Sequence, residues 1–350
     1  MVYSQLVSDS TKDKGASMFK MIARVTFVLA FLLGISTGAL GDPLLTFFKN
    51  EAGGSASDLH LYFLDVGAGG EFVDITPPDA DGGSPAWSPD GGRIIFSSMK
   101  DGDPDFNVDL YTVDRNGENL QKITDTPTWE DDPAWSPDGQ RIAYGIGDPG
   151  KERSVWVLDL NSGVERELVP LGGEIFIKRT RFVWSPDGKQ IAFNAIGAGN
   201  VWGIYTVHVD TKQLDLLQKS LGATVVQGWL PTGGLLVIQF GGEHSRFGIL
   251  TPNGEFELLF PEVQEKLEID EARATWRRPD LFVFSATSRG ELGQRYDTYR
   301  VTRRGTGLQQ LTFGGTWGSG FDLYTDSLDV PTPAEKLATS WAEVKAGRVR

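Results

Sequence analysis

A five-residue motif, Trp-Ser-Pro-Asp-Gly, occurs three times in this chain and constrains its fold more than any other feature. The three copies are identical and begin at Trp87, Trp135 and Trp184, at intervals of 48 and 49 residues. A period of this length is typical of propeller blades, small sheets that bury their faces only against neighbouring sheets. The repeat therefore predicts a ring of stacked sheets.

Weaker versions of the motif extend the repeat. They begin at Trp229, Trp276 and Trp317, at further steps of 45, 47 and 41 residues, so six anchors predict a six-bladed β-propeller. Ser-Pro-Asp-Gly suits a tight turn after the innermost strand of each blade, because Pro presets φ and Asp and Gly accept the positions that follow. We interpret the repeated Trp as packing between blades and the repeated Asp as part of the turn.

The segments between the anchors fit three more strands per blade. Residues 93–97 and 109–114 have the β-rich, alternating pattern of second and third strands, and residues 120–124 fit a short fourth strand. At the ends of the chain, residues 59–76 fit third and fourth strands, whereas residues 317–325 fit first and second strands. Together they predict a last blade closed by two strands from each end, which removes the open edge of the ring.

Composition supports an all-β class and limits the partners. The 43 Gly, 18 Pro, 20 Phe and 10 Trp favour strands joined by tight turns. Acidic residues outnumber basic ones by 47 to 33, and the net charge of -14 would repel a nucleic-acid backbone, so we expect no DNA or RNA partner. The chain has no cysteine, which excludes disulfides, thiolate nucleophiles and cysteine-based zinc sites.

The amino-terminal part predicts export. Residues 18–42 run from basic (Lys20 and Arg24) through apolar to small residues, the order of a secretory signal. The alternative is an uncleaved anchor, because residues 21–40 are long enough to cross about 30 Å of hydrocarbon. In either case the basic end stays in the cytoplasm. We therefore expect the rest of the chain to be periplasmic or otherwise extracytoplasmic, and held at the membrane only if the segment is retained.

These patterns predict five segments. They are a polar segment (1–17), the signal or anchor (18–42), a linker (43–58), the propeller (59–328) and a tail (329–350). In the tail, Thr332 and Glu335 form a capping box, which predicts a short helix over residues 333–346. Its apolar face is expected to dock on the propeller or, alternatively, on a partner or membrane.

The blade pattern resembles a known family. The Trp-Ser-Pro-Asp-Gly turn, followed by Ile-x-Phe, Ile/Leu-Tyr-x-x-Asp and Leu-x-x-Leu/Ile-Thr strands, is similar to the WD-like repeat of the TolB family over residues 59–325. The resemblance implies a six-bladed propeller; TolB's additional amino-terminal α/β domain and its role in the Tol-Pal system are not carried over. Similar repeats form the propeller of prolyl-oligopeptidase-type peptidases, whose hydrolase domain we do not expect in the 25 residues after residue 325.

Charged residues in the loops that rim the funnel of the propeller are the candidate binding residues, because such loops carry function on a rigid scaffold. They are either a solvated rim or a docking surface for a partner, and the docking surface is the functional hypothesis. The acidic candidates are Glu130, Asp131, Asp132, Glu268, Asp270 and Glu271, and the basic candidates are Lys178, Arg179 and Arg181.

One loop resembles a calcium site in part. Asp101, Asp103 and Asp105 alternate as calcium ligands do, but Phe106 stands where an EF-hand needs Gly and Thr112 where it needs Glu. Calcium is therefore a weak candidate, and no other cofactor is expected.

The sequence predicts a binding protein rather than an enzyme. Its three histidines are His60, His208 and His244, and the first two fall on third strands of separate blades, where they cannot converge on one site. We expect no catalytic residue and a funnel that binds a protein, peptide or envelope component. The alternative is a propeller hydrolase or lyase, which would gather His or several carboxylates on the axis of the ring.

Overall fold

A computed structural model describes residues 44–50, 59–65, 72–77, 83–99, 107–148, 151–177, 180–219, 224–240, 244–274, 280–288, 296–311 and 321–324. The predicted signal or anchor and the predicted tail helix lie outside these ranges. Within them, none of the helical structure has the length and apolar character needed to cross a membrane.

The described strands form six four-stranded sheets, and all pairings between neighbouring strands are antiparallel. Sheets 1 to 3 are built as follows. Sheet 1 contains β1 (Leu44–Asn50), β2 (Leu59–Asp65), β3 (Phe72–Asp74) and β24 (Phe321–Tyr324). Sheet 2 contains β4 (Gly83–Trp87), β5 (Arg93–Ser98), β6 (Asp109–Asp114) and β7 (Gln121–Lys122). Sheet 3 contains β8 (Glu130–Trp135), β9 (Arg141–Ile146), β10 (Ser154–Asp159) and β11 (Glu165–Val169).

Sheets 4 to 6 continue the same order. Sheet 4 contains β12 (Val183–Trp184), β13 (Gln190–Gly197), β14 (Val201–His208) and β15 (Leu214–Lys219). Sheet 5 contains β16 (Thr224–Trp229), β17 (Leu235–Gln239), β18 (Arg246–Leu250) and β19 (Phe256–Leu258). A short helix, α1 (Pro261–Gln264), leads to sheet 6, which contains β20 (Leu267–Ala274), β21 (Leu281–Ser288), β22 (Asp297–Thr302) and β23 (Gln309–Gln310).

The innermost strands close into a ring. Strand β24 contacts β4, β4 contacts β8, and the contacts continue through β12, β16 and β20 back to β24. The molecule is therefore an all-β propeller of four-stranded antiparallel blades, as the repeat predicts.

The closing sheet differs from the prediction. Its strand order is β24-β1-β2-β3, so one strand from the carboxyl end joins three from the amino end, and the predicted two-plus-two closure is wrong. The missing strand, β1, lies inside the predicted linker and pairs with β24 on one side and β2 on the other. Its apolar sequence, Leu-Leu-Thr-Phe-Phe, follows closely after the apolar export segment and carries no repeat motif.

The last anchor of the repeat also differs. Tyr324 pairs with Leu44 as the last residue of its innermost strand, as Trp87 pairs with Ile94 in sheet 2. Tyr324 therefore takes the place predicted for Trp317, which lies outside the described residues. The step from Trp276 to Tyr324 is 48 residues, in keeping with the other blades.

The Ser-Pro-Asp-Gly segments form the predicted turns. In the first, the Gly91 N–H donates to the Ser88 carbonyl at 2.9 Å, and Gly91 has a φ of 70°, which a residue with a Cβ adopts at a cost. The Asp90 carboxylate accepts hydrogen bonds from the Ser88 hydroxyl at 2.6 Å and the Gly92 N–H at 3.0 Å. Burial acts to raise the pKa of Asp90, but these hydrogen bonds and the charge of Arg93 lower it.

The repeated Trp residues join consecutive sheets, which confirms their packing role. Trp135 Nε1 donates to the Ala86 carbonyl of sheet 2 at 3.2 Å, and Trp184 Nε1 donates to the Ala134 carbonyl of sheet 3 at 3.0 Å. The guanidinium of Arg141 lies 4.9 Å from the centre of the Trp184 ring. Trp135, with the Arg93 guanidinium 5.2 Å from its ring centre, and Trp184 thus each combine buried area, a hydrogen bond and a cation–π contact at one seam.

Candidate binding site at the ring end opposite the turns

Four innermost strands carry a β-bulge shortly before they reach the anchor. The bulges lie in β4, β8, β16 and β20, where the pairing register shifts. A bulge places one extra residue in its strand and redirects the side chains around it. The bulged segments contain Ser84, Asp132, Gln227 and Asp270. These residues lie towards the start of each innermost strand, at the ring end opposite the Ser-Pro-Asp-Gly turns.

Ser84 and Asp132 occupy equivalent places in consecutive sheets. Each is followed by Pro-Ala-Trp, and each has a left-handed φ, 51° for Ser84 and 55° for Asp132. The Ser84 hydroxyl donates to Asp132 Oδ1 at 3.0 Å. A residue with a side chain pays about 1–3 kcal/mol for such a backbone, so surrounding contacts must hold it there.

An ionic network, here called the acid network, supplies those contacts. Its members are Ser84, Ser97, Asp131, Asp132 and Arg153. Arg153 Nη1 lies 2.9 Å from Asp132 Oδ2, and its Nη2 lies 3.6 Å from Asp131 Oδ2. The Ser97 hydroxyl donates to Asp131 Oδ1 at 2.9 Å. Only 4% of the Arg153 side chain is exposed, so the network joins sheets 2 and 3 beneath the surface.

Glu130 is completely buried beside this network. Burial raises the pKa of Glu130 to about 7. The hydroxyls of Thr124 and Thr126 act in the opposite direction because they favour the ionised form, whereas the nearby charge of Asp109 raises the pKa further. The alternative of a solvated rim at Glu130, Asp131 and Asp132 is therefore wrong, because these side chains are buried or nearly so. The bulge in β8 and the counter-charge of Arg153, which comes from the loop before β10, bring these carboxyl groups inside.

A second network, here called the arginine network, lies across the ring. Arg181 precedes β12 in sheet 4, and its Nη2 lies 2.5 Å from Glu271 Oε1 in sheet 6. The ion pair therefore joins two sheets that are separated in the ring by sheet 5. The same Glu271 oxygen pairs with Arg273. Arg273 Nη1 in turn donates to Gln227 Oε1 of sheet 5 at 3.0 Å. Glu271 and Arg273 are buried, whereas 31% of the Arg181 side chain is exposed.

The other acidic candidates lie at the start of β20. Glu268 accepts hydrogen bonds from the Ser245 N–H at 2.6 Å and its hydroxyl at 2.7 Å, and His244 Nδ1 lies 3.3 Å from the second carboxylate oxygen. Asp270 is exposed, yet the surrounding protein desolvates it and raises its pKa. Asp270 is therefore an acidic side chain that a partner can reach.

Some predicted site residues cannot be compared with the structure. Lys178 and Arg179 lie outside the described residues, as do the calcium candidates Asp101, Asp103 and Asp105. In the part of the chain that the structure describes, no three His, Asp or Glu side chains form a group that could hold a metal ion.

Sequence reasoning missed Ser84, Ser97, Arg153, Gln227 and Arg273 as members of these contacts, although the repeat offers a signal for two of them. Ser84 and Arg273 stand three residues before an anchor Trp, as the candidates Asp132 and Arg181 do, so aligning the repeats on Trp marks this position. Arg153 has no comparable signal, because it comes from a loop outside the repeated motif. The networks thus combine a repeated position with a partner that only the fold supplies.

The comparisons with known proteins agree with the architecture. No protein-family model matches the chain, and no curated protein matches its sequence. TolB from Acinetobacter baumannii superposes with a TM-score of 0.65 at 16% identity, covering 85% of this chain and 69% of that one. A chain of a nidogen–laminin complex gives 0.56 at 12% identity, covering 81% and 98%. A puromycin hydrolase gives 0.52 at 17% identity, covering 84% and 48%. At these identities the likeness is one of fold alone, that of a β-propeller.

Proposed function

We propose that this chain is an exported, six-bladed propeller that binds a protein or peptide at the ring end bearing the acid and arginine networks. The observation that carries the proposal is the way these charges hold one another. Arg153 fixes Asp131 and Asp132, and two arginines fix Glu271, so the charged groups are positioned before any partner arrives. Preorganised charge reduces the ordering cost of association and orients the encounter.

The two networks have opposite charge. The acid network pairs two carboxylates with one guanidinium, whereas the arginine network pairs two guanidinium groups with one carboxylate. The first joins sheets 2 and 3, and the second joins sheets 4, 5 and 6. A partner with separated acidic and basic groups would complement both, and it would meet Arg181 and Asp270, the more accessible charges of this end.

Binding is favoured over catalysis because the buried carboxylates of this end are already paired with arginines. Arg153 holds Asp131 and Asp132, and two arginines hold Glu271. The second candidate function is hydrolysis in the same opening, for which the His244–Glu268 pair is the best observation. The puromycin hydrolase of similar fold supports that candidate, whereas the nidogen–laminin complex supports a protein partner.

Export is part of the proposal. It is supported by the basic, apolar and small regions of residues 18–42, which predict transfer of the propeller across the cytoplasmic membrane. Fractionation of cells that produce the full-length chain tests it, and recovery of the chain in the cytosol would contradict it.

The binding proposal is tested by co-purification of envelope proteins with the full-length chain. The variant is Arg181→Glu, which reverses an accessible charge of the arginine network. The control is Arg303→Glu, because Arg303 forms an exposed pair with Glu257 on the outside of the ring, 3.1 Å away. We expect the first variant to lose the co-purifying protein and the second to keep it. Equal recovery of the co-purifying protein with both variants would show that this end of the ring is not the binding site.

A further inference from the structure

The seam between sheets 2 and 3 contains a buried carboxyl group that the proposed function does not use. Glu130 is the first residue of β8, and its side chain has no exposed surface. Its backbone N–H donates to the carbonyl of Val108, which precedes β6 in sheet 2, at 2.9 Å. Glu130 therefore belongs to the seam through its backbone as well as through its side chain.

The surroundings of this carboxyl group disfavour a negative charge. No hydrogen bond of ordinary geometry reaches either oxygen from the described residues, although the hydroxyls of Thr124 and Thr126 lie near. Asp109 on β6 and Glu165 on β11 add further negative charge. A buried charge without a counter-ion is costly, so the neutral carboxyl is the form that fits this seam.

The other ionisable groups near Glu130 do not compensate it. Tyr144 on β9 has a buried hydroxyl, and burial together with the charges of Glu165 and Glu130 raises its pKa, so it stays neutral. Lys122 on β7 lies 2.9 Å from Asp109 Oδ2, which engages its charge with that carboxylate.

We propose that Glu130 acts as a pH-dependent seal between sheets 2 and 3: the seam is closed while its carboxyl is protonated and loosens when it ionises. The acid network follows directly in the chain, since Asp131 and Asp132 are the next two residues of β8. Loosening the start of β8 would therefore release the contacts that fix Ser84, Ser97 and Arg153 at the ring end. Mildly acidic conditions keep this end ordered, and alkaline conditions relax it.

The sign of the pH effect follows from linkage. The folded state holds the proton to about pH 7, whereas an unfolded chain releases it near 4.5. The stabilisation is therefore complete below pH 4.5 and is lost as the pH rises through 7. The full difference corresponds to a change on the order of 100-fold in the equilibrium constant for unfolding.

The first experiment compares urea unfolding of the full-length chain and of Glu130→Gln between pH 5 and pH 8.5. Glutamine keeps the shape of the protonated acid and cannot ionise. The equilibrium constant for unfolding of the parent chain, divided by that of the variant, should therefore rise with pH. The control is Glu174→Gln, because Glu174 is exposed in a loop and the same chemical change there should give a constant ratio. A constant ratio for Glu130→Gln as well would overturn the proposal.

The second experiment needs no variant and holds if Glu130→Gln does not fold. Amide hydrogen exchange of the parent chain is followed at the Glu130 N–H and compared with the Leu259 N–H, which donates to the Phe247 carbonyl at 3.1 Å in sheet 5, away from the acid network. After correction for intrinsic rates, protection of Glu130 should fall at least tenfold relative to Leu259 between pH 6 and pH 8.5, an order-of-magnitude expectation from the linkage above. Parallel protection of the two amides across this range would refute the seal.

Discussion

Arg181 of sheet 4 pairs with Glu271 of sheet 6 across the intervening sheet 5. The two residues are 90 positions apart in the chain, and the contact exists only because the ring brings the starts of its innermost strands together. Glu271 also pairs with Arg273, which reaches Gln227 of sheet 5. One carboxylate therefore ties three sheets at the end of the ring that we propose as the binding surface.

Removing Arg273 should destabilise the protein strongly. Arg273→Met keeps the side-chain volume but leaves the buried Glu271 with one ionic partner fewer, and breaking a buried pair costs about 3–5 kcal/mol. Arg303→Met is the control, because its pair with Glu257 is exposed and such pairs contribute about 0–1 kcal/mol. Urea unfolding of both variants measures the difference. Similar losses in the two would mean that the arginine network does not hold the sheets.

The tryptophan hydrogen bonds at the seams make a separate contribution. Trp184→Phe removes the bond to the Ala134 carbonyl and weakens the contact with Arg141, so we expect a loss of about 1–2 kcal/mol. Trp156→Phe is the matched change, because Trp156 Nε1 donates to the Ser154 hydroxyl within a single sheet. Its loss should be smaller, because Trp156 is only partly buried and its hydrogen bond joins two residues of one strand. Thermal unfolding compares the two, and equal effects would argue against the seam as the main role of Trp184.

Closure of sheet 1 by a single carboxyl-terminal strand can be tested by truncation. A chain that stops after residue 328 keeps β24, whereas one that stops after residue 320 lacks it and leaves β1 as an open edge. We expect the first to melt close to the full-length chain, and the second to melt lower and to aggregate, because unpaired edges recruit other strands. Indistinguishable melting of the two truncated chains would contradict the observed closure.

The sequence predicts local features well because their causes are local. The turn at residues 88–91 depends on its own Ser, Pro, Asp and Gly, and the bounds of β6 match the third strand predicted over residues 109–114. Strand β1 was missed because its partner β24 lies near the other end of the chain and no turn motif marks its connection to β2. A strand without a repeat signal is recognised only through its pairing.

The candidate site could be predicted only in part. Asp131, Asp132 and Arg181 lie at one charged end of the ring. Their exposure depends on their ionic partners, Arg153 and Glu271, and the repeat motif does not predict these pairings. Arg153 reaches the acid network from a loop before β10, and only the assembled sheets bring it to Asp132. Sequence patterns therefore indicate the end of the ring, whereas the pairing of its charges requires the fold.

The measurement that tests the binding proposal most directly is site-specific photo-crosslinking in cells that produce the full-length chain. The photoreactive residue replaces Asp270, which is exposed in the bulge of β20, or Leu217, which is 46% exposed on the outer strand β15. We expect a crosslinked partner from position 270, none from position 217, and loss of the crosslink in the Arg181→Glu background, as the binding proposal requires. Crosslinks from position 217 alone, or from position 270 regardless of Arg181, would contradict it.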